Sequence, residues 1–135
     1  MPLAKRTFEL SLLPKLFSIC RFSGDAAVPD WAWRGSFCSV TRTPEELSIV
    51  AETDVVAPEA RAETEWRMLK VHGPFELSEV GVVASLVAPL AAGGVSVFTV
   101  STFDTDYLLV QSAQWPAALT ALREAGHTVH EHEIE

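Results

Sequence analysis

Hydrophobic and polar positions alternate most regularly in the second half of the chain. In "WRMLKVHG" (66–73), Trp66, Met68, Lys70 and His72 fall on one side and Arg67, Leu69 and Val71 on the other. That period of two predicts a strand ended by Gly73-Pro74. The period then changes. Val83, Leu86, Val87 and Leu90 recur at i, i+3, i+4 and i+7, the stripe of a helix lying on a sheet. Ser78 is its expected N-cap, Glu79 suits its first turn, and Gly93-Gly94 stops it. Pro89 inside the run predicts a kink or a loosened last turn.

"VSVFTVS" (95–101) reads as a buried strand rich in β-branched residues, "TFDT" as a turn and "DYLLV" (106–110) as the antiparallel return. "SAQWPAALTALREAG" (112–126) repeats the helical stripe through Trp115, Ala118, Leu119 and Leu122, with Pro116 in the tolerated first turn. "HTVHEHEIE" closes the chain as a polar edge strand. The order β-α-β-β-α-β is the ferredoxin-like arrangement, an α+β fold with both helices on one face of one sheet.

The first half is less regular. "RTFELSLL" and "KLFSICRF" read as two strands joined near Pro14-Lys15. "SFCSVTRT" and "ELSIVAE" read as two more, joined through Thr43-Pro44-Glu45. Residues 26–35 supply one short helix or only a loop. Trp31 and Trp33 are expected to bury their indoles in the core. The polar "DVVAPEARAETE" (54–65) is the expected linker. "SVTRTPEELSIV" (39–50) parallels "TVSTFDTDYLLV" (99–110), which makes the first half a degenerate copy of the second.

Composition narrows the picture. At 135 residues and 48% hydrophobic, the chain is long enough for one domain or two very small ones, each with a core. The net charge of −8 argues against nucleic acid and anionic membranes as partners. Cys20 and Cys38 form no CxxC pair and are expected as two thiols rather than a disulfide. Glu9, Pro14 and Lys15 interrupt the apolar opening segment, no cleavage pattern follows it, and no apolar run reaches the ~18 residues of a membrane span. The expectation is a soluble, cytoplasmic protein.

Catalytic motifs are missing: there is no G-x-S-x-G, P-loop or G-x-G-x-x-G. His127, His130 and His132 invite a metal reading, but histidines on a terminal edge strand read better as solvated. Asp104 and Asp106 would serve as an acid–base pair only if neighbours drove their pKa values apart, and the sequence holds no sign of that. No enzyme activity, cofactor or metal is expected.

The stretch "EVGVVASLVAPLAAGGVSVFTVSTFDTDYLLV" (79–110) resembles the ACT domains of lysine-sensitive aspartokinases and of cytosolic arginine sensors of the CASTOR type. "SFCSVTRTPEELSI" (36–49) resembles the opening ACT unit of those sensors. In size the chain is similar to short stand-alone bacterial proteins with two such units. The resemblance implies two tandem ACT-like units, a degenerate one over 1–60 and an intact one over 61–135. It implies a stand-alone, non-catalytic amino-acid sensor acting in allosteric regulation as a homodimer. The alternative is a structural or dimerisation module that has lost its ligand. Arginine, lysine or an aromatic amino acid are the ligands left open.

Carried onto this chain, the family's pocket has Glu79, Val80, Gly81 and Val82 on one wall and Thr102, Phe103 and Asp104 on a strand-end turn. The residue chemistry fits such a ligand. A helix start offers free N–H groups and partial positive charge to a carboxylate, and a glycine there lets it approach. Glu79 and Asp104 are the candidates for its ammonium. Plainer roles stand beside these: Asp104 bonding its own turn, Glu79 serving only the helix dipole, Gly81 permitting close helix packing, and Phe103 filling the core. Asp106 is expected to face solvent.

Overall fold

The computed structural model of the chain describes residues 6–76 and 78–131. The chain divides into two compact units, Lys15–Trp66 and a unit formed by Met1–Pro14 with Arg67–Glu135. The domains expected over 1–60 and 61–135 are consecutive, whereas these units are interleaved. Two long strands cause this. β1 (Glu9–Ser23) and β4 (Ala62–Val71) each begin in one unit and end in the other. The break expected at Pro14-Lys15 is absent, because proline's fixed φ suits extended backbone and removes only one donor.

In the larger unit β4 leads to α1 (Val82–Ala92), β5 (Phe98–Ser101), β6 (Asp106–Gln111), α2 (Trp115–Glu124) and β7 (Thr128–His130). This is the expected β-α-β-β-α-β order. Its sheet runs β5-β6-β4-β1-β7, with residues 9–11 of β1 parallel to β7 in the register Glu9↔Thr128. The start of the chain therefore lies between the first and last strands of the motif. Period-two alternation sends Leu10, Leu12, Leu69, Val71, Leu108 and Val110 to one face, where they meet Val82, Leu86, Leu90, Ala118 and Leu122 of the helices. Val82 takes the core position expected of Val83, since it lies four residues ahead of Leu86 and eight ahead of Leu90 on the buried face. Among the described residues no helix is long and apolar enough to cross a membrane.

Pro89 does not end α1, but it has a consequence. Proline has no N–H, so the carbonyl of Ser85, four residues earlier, loses its helical partner. His127 supplies the replacement. The Phe8 N–H donates to His127 Nδ1 at 3.0 Å, so the neutral ring carries its proton on Nε2, which lies 3.0 Å from the Ser85 oxygen and donates to it. His127 is buried and stacks on the Phe8 ring at 5.8 Å. One imidazole thus joins the helix, the first strand and the segment after α2. His130 is different: it is exposed, bonds Glu9 at 2.9 Å and thereby holds that carboxyl below its ordinary pKa. His132 lies outside the described residues.

The smaller unit orders its strands β2-β3-β1-β4, with β2 (Cys38–Arg42) and β3 (Glu46–Glu52) as expected. Between β1 and β2 there is only a 3-10 turn, Asp30–Trp33. Trp31 packs on the core of this unit, but Trp33 is 64% exposed, contrary to expectation, because a tight turn of this length cannot aim both indoles inward. The buried Glu52 carboxylate accepts the N–H and the hydroxyl of Ser36, at 3.1 and 2.7 Å. A Cβ on Gly35 would lie 2.4 Å from that carboxylate. Cys20 pairs with Ile49 and Cys38 with Ala51, on opposite sides of β3. Two strand spacings, roughly 10 Å, exceed the reach of a disulfide, and both thiols are free.

Two outcomes are expected. His127→Phe leaves a buried N–H and a part-buried carbonyl unpaired and should lower the unfolding free energy by about 2–4 kcal/mol in urea titrations. Adding Pro89→Ala supplies an N–H for the Ser85 oxygen and should recover about 1 kcal/mol in that background, more than in the wild type; equal effects in the two backgrounds would show that His127 and Pro89 are not coupled through Ser85. Burial pushes the Cys20 thiol up from 9.0 to about 11. The unfolded chain therefore ionises first, so this contribution is whole below pH 9.0 and is lost as pH rises through 11. The fall in stability over that window should be shallower in Cys20→Ala.

Candidate functional site

The turn between β5 and β6 is built by threonine. The Thr102 N–H donates to the Thr105 carbonyl at 2.8 Å, the Thr105 N–H donates to Thr102 Oγ1 at 3.2 Å, and the Thr102 hydroxyl donates to the Thr105 carbonyl at 3.1 Å. The turn is then fastened to the end of β4. The Thr105 hydroxyl donates to the Val71 carbonyl at 2.6 Å, and the Phe75 N–H donates to the Asp104 carbonyl at 2.7 Å. Only glycine fits at 73, since a Cβ there would stand 2.9 Å from the Asp104 oxygen. Asp104 thus contributes its backbone to the anchoring. Among the described residues its side chain has no partner, so the turn-capping role falls to Thr102.

Facing this turn is the start of α1. Gly81, not Ser78, is the N-cap, with φ of 85° in the left-handed region. No side chain caps the helix, which leaves the first-turn N–H groups of Val82, Val83 and Ala84 without helical acceptors. A Cβ on Gly81 would meet nothing within 4 Å, so close helix packing does not explain the glycine. What explains it is the positive φ and the open approach to the helix end.

Turn and helix start enclose a cleft of about 310 Å³. Of the residues picked from the sequence, Glu79, Gly81, Val82, Thr102, Phe103 and Asp104 line it. Val80 does not: it is 76% exposed and points away. Phe103 is also 76% exposed and stands on the rim rather than in the core.

The cleft is acidic, with Glu76, Glu79, Asp104 and Asp106 among its lining residues and no Lys or Arg. Two of these carboxylates are already engaged. Glu79 pairs with Arg6 at 2.9 Å, and that guanidinium lies 5.0 Å over the Phe8 ring. Asp106 accepts the Ser101 hydroxyl and lines the cleft rather than facing bulk solvent. Glu76 and Asp104 remain exposed and unpaired among the described residues.

The sequence reading missed Phe75, Glu76, Val83, Ala84, Ser101 and Thr105, and it set Asp106 in solvent. The helix residues were hidden by taking Ser78 as the cap; a glycine four residues ahead of Ser85 was the available signal. Arg6 carried no signal, because only folding brings it to Glu79. Among the described residues no group of His, Cys, Asp and Glu has the arrangement of a metal site.

Comparison with known proteins follows the same division. The ACT domain model matches residues 61–124, and a second model, described as an N-terminal domain, matches residues 15–59. The human cytosolic arginine sensor for mTORC1 subunit 1 is 44% identical over 46 residues, 33% of this chain. The match spans 14% of the length of that relative. The crystal structure of a protein from Agobacterium tumefaciens is 38% identical, covers 96% of this chain and 97% of its own, and superposes with a TM-score of 0.89. The ligand-free regulatory subunit of aspartate kinase from Thermus thermophilus shares the fold at 15% identity, with a TM-score of 0.59 over 87% of this chain and 97% of its own. The human relative is a sensor and the Thermus chain a regulatory subunit by name, and the chain they resemble has a ferredoxin-like α+β fold. It belongs to the ACT-domain family.

Proposed function

We propose that the protein binds a free amino acid in the cleft between the start of α1 and the Thr102–Thr105 turn, and acts as a non-catalytic regulatory sensor. The observation that carries this reading is an uncapped helix start facing an anchored turn whose aspartate side chain has no partner among the described residues. The ligand carboxylate accepts the first-turn N–H groups, and its ammonium pairs with Asp104. A cleft of about 310 Å³ is at the small end of ligand sites, which suits an amino acid. The remaining charge of Glu76 favours arginine or lysine over an aromatic amino acid. The name of the human relative, an arginine sensor, points the same way.

A repeated turn supports two tandem ACT-like units, the first degenerate. Thr43 organises the β2–β3 turn as Thr102 organises the β5–β6 turn. The Thr43 N–H donates to the Glu46 carbonyl at 2.9 Å, and the Glu46 N–H donates to Thr43 Oγ1 at 3.1 Å. The two turns correspond at 43 and 102, one residue out of step with the sequence parallel. The first unit has a 3-10 turn where the second has α1, so it lacks the helix start that would receive a carboxylate. Ligand binding is therefore assigned to the second unit alone.

Val80 and Phe103, both strongly exposed beside the cleft, are the apolar surface a second copy would cover. A homodimer accounts for them. The alternative, a dimerisation module without a ligand, makes the same use of this surface but none of Asp104.

Calorimetry with the twenty amino acids should find arginine or lysine binding, and Asp104→Asn should weaken it about tenfold or more while the melting temperature stays near the wild-type value. Absence of heat from every amino acid at millimolar concentration would leave the dimerisation module. Sedimentation should show a dimer that Phe103→Lys together with Val80→Lys converts to monomer.

A further inference from the structure

The Thr102–Thr105 turn is a ridge with a cleft on either side. The second cleft, about 340 Å³, is lined by Lys70, Gly73, Pro74 and Tyr107 together with Thr102, Asp104 and Thr105 of the ridge. It opens on the face of the sheet away from the helices, because Leu69 and Val71 on either side of Lys70 point into the helix-side core, as do Leu108 and Val110 beyond Tyr107. Its polar equipment differs from that of the first cleft. Lys70 is a cation, where the first cleft has none, and among the described residues its ammonium has no ion pair or hydrogen bond. Both threonine hydroxyls are spent on the ridge itself, Thr102 on Thr105 and Thr105 on Val71. The groups left to address a ligand are therefore the Lys70 ammonium and the Asp104 carboxylate.

We propose that this cleft is a second ligand site, for a small zwitterion whose carboxylate pairs with Lys70 and whose ammonium pairs with Asp104. The walls are fixed in advance. The Phe75 N–H bond to the Asp104 carbonyl and the contact that admits only glycine at 73 hold the ridge against the Gly73-Pro74 wall, so little ordering remains for the ligand to impose. The pairing of one free cation with one free anion excludes simple anions, which Asp104 would repel, and simple cations, which Lys70 would repel. Asp104 lines both clefts and Lys70 only this one, so Lys70, not Asp104, is the residue whose substitution separates this site from the amino-acid reading of the first cleft.

The test is amide chemical-shift mapping of the full chain with glycine, the smallest such zwitterion, and with succinate and methylammonium as single-charge controls. Glycine should shift the Gly73 and Tyr107 amides saturably at millimolar concentration, and Lys70→Met should weaken this about tenfold or more. The shifts of Gly81, Val83 and Ala84 caused by arginine should be the same in Lys70→Met and wild type, which also verifies that the variant is folded. Succinate or methylammonium binding as tightly as glycine would overturn the zwitterion assignment. Unsaturable shifts at Gly73 and Tyr107, or equal glycine responses in wild type and Lys70→Met, would overturn the site.

Discussion

The carbonyl of Ser85 is the constraint on which the larger unit turns. Pro89 deprives it of its helical donor, and a carbonyl withdrawn from water without a partner costs up to about 1–3 kcal/mol, less here because this one is only part-buried. His127 removes that cost while accepting the Phe8 N–H, so a defect within α1 becomes a bond between three parts of the chain. The same residues reach the cleft beside the start of α1. Phe8 packs edge-on against Phe75 at 5.6 Å, Phe75 bonds the Asp104 turn, and Arg6 covers Phe8 while pairing with Glu79. The helix start and the turn that form the cleft are therefore held by one connected set of contacts.

That arrangement gives the cleft its chemistry. A helix normally finds a side chain to cap its first turn; here a glycine in the left-handed region stands in that place and leaves the donors open. The opposite wall is made rigid by threonine hydroxyls and backbone bonds, so the Asp104 carboxylate is not needed for structure. Threonine and the Asp104 carbonyl hold the turn, and the Asp104 carboxylate is left without a partner among the described residues.

Much of this was legible in the chain. Period-two alternation around Leu69 and Val71 and the stripes of α1 and α2 placed the elements from β4 to β7, because burying one face of a strand or helix imposes a short local period, but they did not place the opening strand in the same sheet. The resemblance over 79–110 picked six of the thirteen described residues that line the cleft. Local rules failed where local signals competed. Ser78 is a good cap by type, yet the helix begins after Gly81; Pro14 reads as a break, yet β1 runs through it. Val80 was placed on the cleft wall by the resemblance, but it is strongly exposed and does not line the cleft.

What the sequence determined by itself was the order of strands and helices, the threonine-built turns and the presence of a glycine-led helix, all set by interactions between residues close in the chain. Only the tertiary structure decided that Arg6 neutralises Glu79, that His127 answers the defect made by Pro89, and that Asp104 stands on a ridge between two clefts. Each of these joins residues far apart in sequence. No local period or motif records such a meeting, because it depends on which buried polar groups are left without partners once the sheet has formed.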